Sequence, residues 1–386
     1  MDSLSIKQAR KLVLVSQRVH RENDFGGGST GLLNAIEHLA YIQIDTISVV
    51  ERAHHHTLWN RVKNYSPVLL SEALARQDVF EYWSHAAAYL PMRDYRFSLP
   101  RKQAYLNGDR HWFEKNAKQM GYVKDRIRAE GELGAKDFDQ KRNNRNHAWG
   151  GLKPAKMALE QLFMQGEIMV SRRHNFQKVF DLTERVLPDY VDQTMPTELE
   201  FCDHLIFRFL TANGIGTPNE IAYLRRGAKP MISARCLTLL HEKRLIQLTV
   251  AGKAYYALPD FETTLAKRLS QQAVKILSPF DNLLIQRQRM RDLFQFDYQI
   301  ECYVTARKRM YGYFVLPILR GQAFIGRMDA KIDRKTKLMT VHNLFFESQE
   351  DSEYKEQLEE ALMPFLHFNQ GNELRIDRIS ISADRT

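Results

Sequence analysis

KPAKMALEQLFMQGEIMVSRRHNFQKVFDLTERVLP, residues 153–188, is the stretch that decides the fold class. Pro154 suits the first position of a helix, where its missing N–H costs nothing. Met157, Ala158, Leu162 and Phe163 make an apolar stripe at helical spacing, and Gly166 closes it. The period then changes. Two short strands are expected over 167–172 and 177–182, joined by RRHNF. Helix, strand, turn, strand is the end of a winged-helix module. It sets Arg172 and Arg173 at the wing, where arginines meet phosphates or a groove.

Downstream, residues 198–258 repeat the plan. A helix is expected over 199–212. Thr217 caps a second one running to 224, with Pro218 at its first position. A third spans 233–243 with Leu237 and Leu240 turned inward, and strands over 245–250 and 254–258 flank AGK. Arg225, Arg226, Lys229 and Arg235 are placed to face DNA from the turn and third helix.

Upstream, Ile6, Ala9, Leu12, Val13 and Ser16 define a helix over 5–19 that Ser3 or Ser5 caps. After a glycine break at 26–28, Thr30 opens a second helix carrying Leu32, Leu33, Ile36 and Leu39. Past a linker helix the pattern turns β from Tyr298 onward: IECYV, GYFVLPIL, QAFIGRMDAKID and KLMTVHNLFFE. A last helix over 353–368 closes the pattern.

The class is therefore α+β: tandem winged-helix modules with a C-terminal small β-barrel or curled sheet. The divisions are 1–90, an N-terminal winged-helix-like module; 91–150, a basic helical connector; 151–195 and 196–265, a second and third winged helix; and 266–386, the linker helix, β domain and final helix.

Lys and Arg number 56 against 46 Asp and Glu among 386 residues, a formal net charge of +10. Residues 91–150 hold 14 of the basic and 8 of the acidic side chains, so 14 − 8 = +6 falls within 60 residues, densest in KRNNRNH at 141–147. That concentration favours a phosphate track and a polyanionic partner. The three cysteines, Cys202, Cys236 and Cys302, lie far apart and suggest neither a disulfide framework nor a paired metal motif. No run reaches the ~18 apolar residues of a membrane span, and the first residues carry Lys and Arg inside their apolar stretch, unlike a signal peptide. The expectation is a cytoplasmic monomer with no cofactor and no membrane partner.

The chemistry points to YIQIDTISVVERAHHH, residues 41–56. On a strand, Ile42, Ile44 and Thr46 face one way, and Gln43 and Asp45 the other. A carboxylate beside an amide suits hydrolysis: one accepts a proton, the other orients a water. A polar face of a half-buried strand has the same spacing. His54 and His56 share a side of an extended chain, but no further ligand lies at metal spacing, so no metal is expected. Phe80, Tyr82 and Trp83 read as an aromatic core segment leading to His85.

Gln-Ile-Asp at 43–45 resembles the Gln-apolar-Asp motif of the YcaQ branch of the YcaQ/AlkZ family of winged-helix DNA glycosylases. The same resemblance extends to DTISVVERAHHHTLWNR from Asp45, EYWSHAAAYLP at 81–91, SPFDN at 278–282 and MYGYFVLP at 310–317, in the same order along nearly the whole chain. The family usually has proline where this chain has Asn282, a departure expected to loosen that turn. The resemblance implies Gln43 and Asp45 as catalytic residues, with Arg52, His54 and His85 lining the site. It implies double-stranded DNA with alkylated bases or crosslinks as partner. The expected reaction is monofunctional hydrolysis of the N-glycosidic bond of alkylated purines of the N7-alkylguanine type, leaving an abasic site, with unhooking of interstrand crosslinks. Tandem winged helices on a basic chain also suit a transcription regulator without catalysis. A zinc hydrolase built on the histidine run is a third class.

Overall fold

Ser5 begins the chain's first helix, Ile6–Ser16. Its hydroxyl accepts from Gln8 N–H, and the Gln8 side chain accepts from Ser5 N–H at 2.9 Å. This capping box satisfies two otherwise orphaned donors at the helix start. The computed structural model describes residues 2–20, 24–109, 111–138 and 154–381. The chain divides into two units, residues 1–66 with 202–386, and residues 67–201. The first break falls at 66/67 rather than at residue 90, because the hairpin Val79–Trp83 and Ala87–Pro91 belongs with the residues after it.

In the larger unit, the strand Asp2–Leu4 runs parallel to Ile246–Val250, pairing Asp2 with Leu248 and Leu4 with Val250. Lys253–Ala257 and Ile215–Gly216 complete that sheet. The chain's first residues thus join the segment expected to form the 196–265 module. One core holds Ala9, Leu12 and Val13 from the first helix together with Leu248, Tyr255, Leu284 and Met290. Helix Glu198–Asn213 is as expected, whereas the second helix stops at Ile221, after the Thr217/Glu220 capping box. Helix Ala228–His241 buries Ile232, Cys236 and Leu239; Leu237, expected inward, is exposed.

The C-terminal sheet is curled. Its order is Val274–Ile276, Val315–Arg320, Ala323–Asp333, Leu338–Phe346, Glu373–Ile376, with Ile379–Ile381 also pairing Leu338–Phe346. Register shifts at Ile318/Leu319 and Asp329/Ala330 are the irregularities that bend such strands. Helix Lys355–Phe368 covers one face through Leu358, Leu362 and Phe365, and Val50 and Ala53 join the same core. The expected strand IECYV does not form. Residues 300–304 make turns, because Glu301 accepts backbone N–H groups from Met310, Tyr311 and Gly312 instead of leaving its segment to a ladder.

The smaller unit contains the opening pattern. Helix Pro154–Gln165 ends at Gly166, whose φ of +76° favours glycine. Strands Ile168–His174 and Gln177–Leu182 form a hairpin, extended by Leu133–Gly134. Helices Leu99–Leu106 and Ala117–Glu130 precede it. The basic run KRNNRNH lies outside the described residues.

Candidate active site

The loop that begins at Tyr41 is fixed at several points. Asn282 donates its side-chain N–H to the Tyr41 carbonyl at 2.9 Å. The replacement expected to loosen the 278–282 turn instead ties two segments together. Ile332 N–H donates to Val49 O at 2.8 Å, Arg334 to Ser48 O at 2.8 Å, and Glu51 N–H to Asn369 Oδ1 at 2.6 Å. A loop anchored this way holds its side chains in place.

Only Ile42–Gln43 is strand. Asp45 Oδ1 accepts Ile47 N–H at 2.7 Å, two residues on. This Asx-type bond offers the backbone an alternative to the ladder and ends the strand. The expected alternation therefore fails after two residues: Ile42 and Gln43 are both buried, Asp45 is half-buried and Thr46 is exposed.

The histidine run is a helix, Ala53–Trp59, not an extended segment. His54 and His56 are both fully buried. His56 Nε2 donates to Ile276 O at 2.9 Å, and burial lowers the ring's pKa to about 4. His55 Nδ1 lies 2.7 Å from the Tyr65 hydroxyl. Among the described residues no three His, Cys, Asp or Glu side chains gather as a metal would require. This run organises the core beneath the loop.

Around Asp45 the electrostatics are distinctive. Burial raises its carboxyl above the usual aspartate range, against the lowering effect of the Ile47 and Thr46 N–H groups and the Arg52 charge. The carboxylate in turn acts on Cys302, whose thiol is raised by burial first and by Asp45 second. It also helps raise the Tyr303 phenol, after burial and Cys302. Asp45, Arg52, Cys302 and Tyr303 therefore form one electrostatic neighbourhood. Tyr303 is 76% exposed, Met310 54% and Tyr313 38%. The Arg309 guanidinium stacks 4.9 Å from the Tyr313 ring centre and donates to Val304 O at 2.9 Å. The arrangement sets a carboxylate near an exposed phenol, Tyr303, whose own electrostatics also feel Tyr313. Cys302 and Tyr303 were missed by sequence reasoning. The resemblance at 310–317 was their only signal, since Glu301 folds 301–304 onto that segment.

The arginines assigned to DNA differ in exposure and in partners. Arg235 forms a two-bond pair with Asp203, at 2.6 and 2.9 Å, and reaches Glu242 at 3.2 Å. Arg173 forms a two-bond pair with the buried Glu81 and donates to Phe176 O at 2.6 Å. Both charges are matched within the protein. Arg172 is exposed and pairs with Glu132 at 2.7 Å. Arg225 is half-buried, with its charge felt at Tyr41, and Arg226 is exposed. His85 sits half-buried in the turn of the smaller unit's first hairpin.

Comparison with known proteins bears on these features. The family model described as DNA glycosylase AlkZ-like matches residues 36–368. The structure of Streptomyces sahachiroi DNA glycosylase AlkZ is similar, with a TM-score of 0.65 over 97% of this chain and 100% of that one, at 12% identity. At that identity the likeness speaks for the fold.

Proposed function

The chain belongs to the AlkZ-like DNA glycosylase family, and from that premise we propose that it hydrolyses the N-glycosidic bond of alkylated purines in duplex DNA. The substrate class is the N7-alkylguanine type, the product is an abasic site, and the adducts include interstrand crosslinks. One observation carries the reading: the half-buried, raised carboxyl of Asp45 on an anchored loop, bordered by Arg52 and the exposed Tyr303 ring.

Cleaving this bond builds positive charge on the deoxyribose and needs a water on its far face. A carboxylate stabilises the first and accepts the proton of the second. Asp45 takes both roles, and Gln43, two residues away, orients the water through its amide. A general base works best with a pKa drawn toward the operating pH, and burial moves Asp45 that way. An N7-alkylated purine already carries positive charge and leaves readily, so no separate strong acid is required. Neither Gln43 nor Asp45 can form a Schiff base, so the reaction is monofunctional. A crosslinked base cannot swing fully from the duplex, and an exposed ring such as Tyr303 beside the carboxylate suits it.

The test is a duplex bearing one N7-methylguanine, incubated with protein and heated in alkali. Strand cleavage at the lesion is expected. Tight binding to undamaged DNA without base release would instead make the protein a DNA-binding regulator. A labelled crosslinked duplex that stays crosslinked would remove crosslinks from the substrate class and leave the monoadduct reading in place.

A further inference from the structure

In the smaller unit, a cavity of about 430 Å³ opens beside Tyr105, His111, Trp112, Phe113, Gln161 and Gln165. It is of the size that takes small organic ligands. Gln161 and Gln165 sit one turn apart on helix Pro154–Gln165, so they share a face. Gln161 is satisfied: its Nε2 donates to Phe113 O at 3.0 Å and Glu114 O at 2.7 Å, which fixes the 113–114 backbone. Gln165 is not. The residue is only 8% exposed, it lines the cavity, and its side chain makes no hydrogen bond among the described residues. Its amide is not among the buried atoms left without a partner, so water entering the cavity reaches it, and a ligand with matching groups would take that water's place.

His111 lines the same cavity. Its Nδ1 accepts Phe113 N–H at 3.0 Å. Burial lowers its pKa, so the ring is neutral at neutral pH. With Nδ1 accepting, the proton sits on Nε2. That Nε2–H is buried with no hydrogen-bond partner among the described residues and is closed to a water-sized molecule, so the ring shapes the wall and its Nε2–H does not meet a ligand. Aromatic faces surround these groups. His111 and Trp112 lie with ring centres 4.0 Å apart, Tyr105 meets His111 edge-on at 5.7 Å, and Trp112 is 52% exposed. Among the described residues its rim carries Lys115, Asp109 and Glu114.

We propose that this cavity binds a nucleobase. A flat heteroaromatic ring has faces for Trp112. On one edge it offers a donor beside an acceptor for the Gln165 amide. Adenine, whose edge pairs one donor with one acceptor and matches a glutamine amide, fits first. The base comes either from a free mononucleotide or from an unpaired position in a DNA strand. The proposal is independent of Asp45, and its site uses no residue of that loop.

The experiment uses the full chain, Trp112→Ala and Gln165→Met. Trp112 is exposed and methionine is close to glutamine in volume, so both are expected to fold, which thermal melting checks. Two titrations are run: adenosine monophosphate by calorimetry, and two labelled duplexes by anisotropy, one fully paired and one with a single unpaired adenine. Tighter binding of the unpaired-adenine duplex, by roughly 5- to 150-fold, is the range that base–aromatic stacking supplies. That preference, lost in both variants, assigns the site to a base of the strand. Nucleotide binding lost in both variants, without a duplex preference, assigns it to free nucleotide. No nucleotide binding at millimolar concentration together with equal duplex affinities overturns the proposal, as does a preference that survives in both folded variants.

Discussion

The turn at 278–282 and the loop at 43–52 each present one aspartate that accepts the N–H two residues on, from Leu283 at 2.9 Å and from Ile47 at 2.7 Å, but burial and charge partners set the two apart. Asp281 is fully buried. Both of its oxygens take Arg61 N–H groups, at 2.7 and 2.8 Å, and Arg61 is as fully buried. The remaining Arg61 bonds go to Gln17 O at 2.9 Å, Thr57 O at 3.0 Å and Gln17 Oε1 at 3.3 Å. Asp45 is half-buried and held by N–H groups of its own loop, with the Arg52 charge also acting on it. A guanidinium fork completes the first carboxylate and fixes it as an anchor. The second keeps capacity for an incoming group. Two motifs of equal prominence in the sequence thus divide into a buried anchor and a half-buried carboxylate, the one we propose faces the substrate.

Substituting the anchor gives the largest effect on stability. Asp281→Asn leaves Arg61 buried with half its partner, and about 3–5 kcal/mol of unfolding free energy is expected to go. Denaturant titration reads this, and a loss under about 1 kcal/mol, the worth of a surface pair, would erase the contrast. At the rim, Tyr303→Ala removes an exposed ring without disturbing the core. It should lower kcat/KM roughly 5- to 150-fold, the worth of one stacked base, at unchanged melting temperature. Normal kinetics would take Tyr303 out of the site. The finest probe is Arg52→Met. The reaction needs the Asp45 carboxylate, which exists above its folded pKa and is lost as pH falls through it. Burial has already raised that pKa, so the acid limb of the rate profile should lie above the usual aspartate range. Removing the Arg52 charge raises it further and moves the limb to higher pH. A limb that stays put, or moves down, means Asp45 is not the group titrating.

Much of the fold was legible because long periodic segments declare themselves. The stripe from Met157 to Phe163 and the hairpin after Gly166 stand where expected. Asp2–Leu4 was not legible, since so short a segment carries no period and its partner strand is the distant Ile246–Val250. IECYV looked like a strand by alternation, yet Glu301 binds three N–H groups brought back by the turn after it. Charge partners were equally hidden. Glu81 for Arg173 and Asp203 for Arg235 are distant in sequence, so both arginines looked available for phosphate. In the candidate site, residue types came through by resemblance and geometry did not. Gln43 and Asp45 were singled out, but the Asx turn that breaks their strand and the arrival of Tyr303 depend on contacts across the larger unit.

The most direct measurement is single-turnover base release from an N7-methylguanine duplex by Asp45→Asn, with its thermal melt taken alongside. The substituted side chain keeps the size and can still accept from Ile47, but loses the charge. A melt close to that of the parent protein is expected, with a rate lower by roughly 10²- to 10⁴-fold, the contribution of a positioned base. A folded variant that releases the base at the parent rate would contradict the assignment of Asp45 as the catalytic carboxylate.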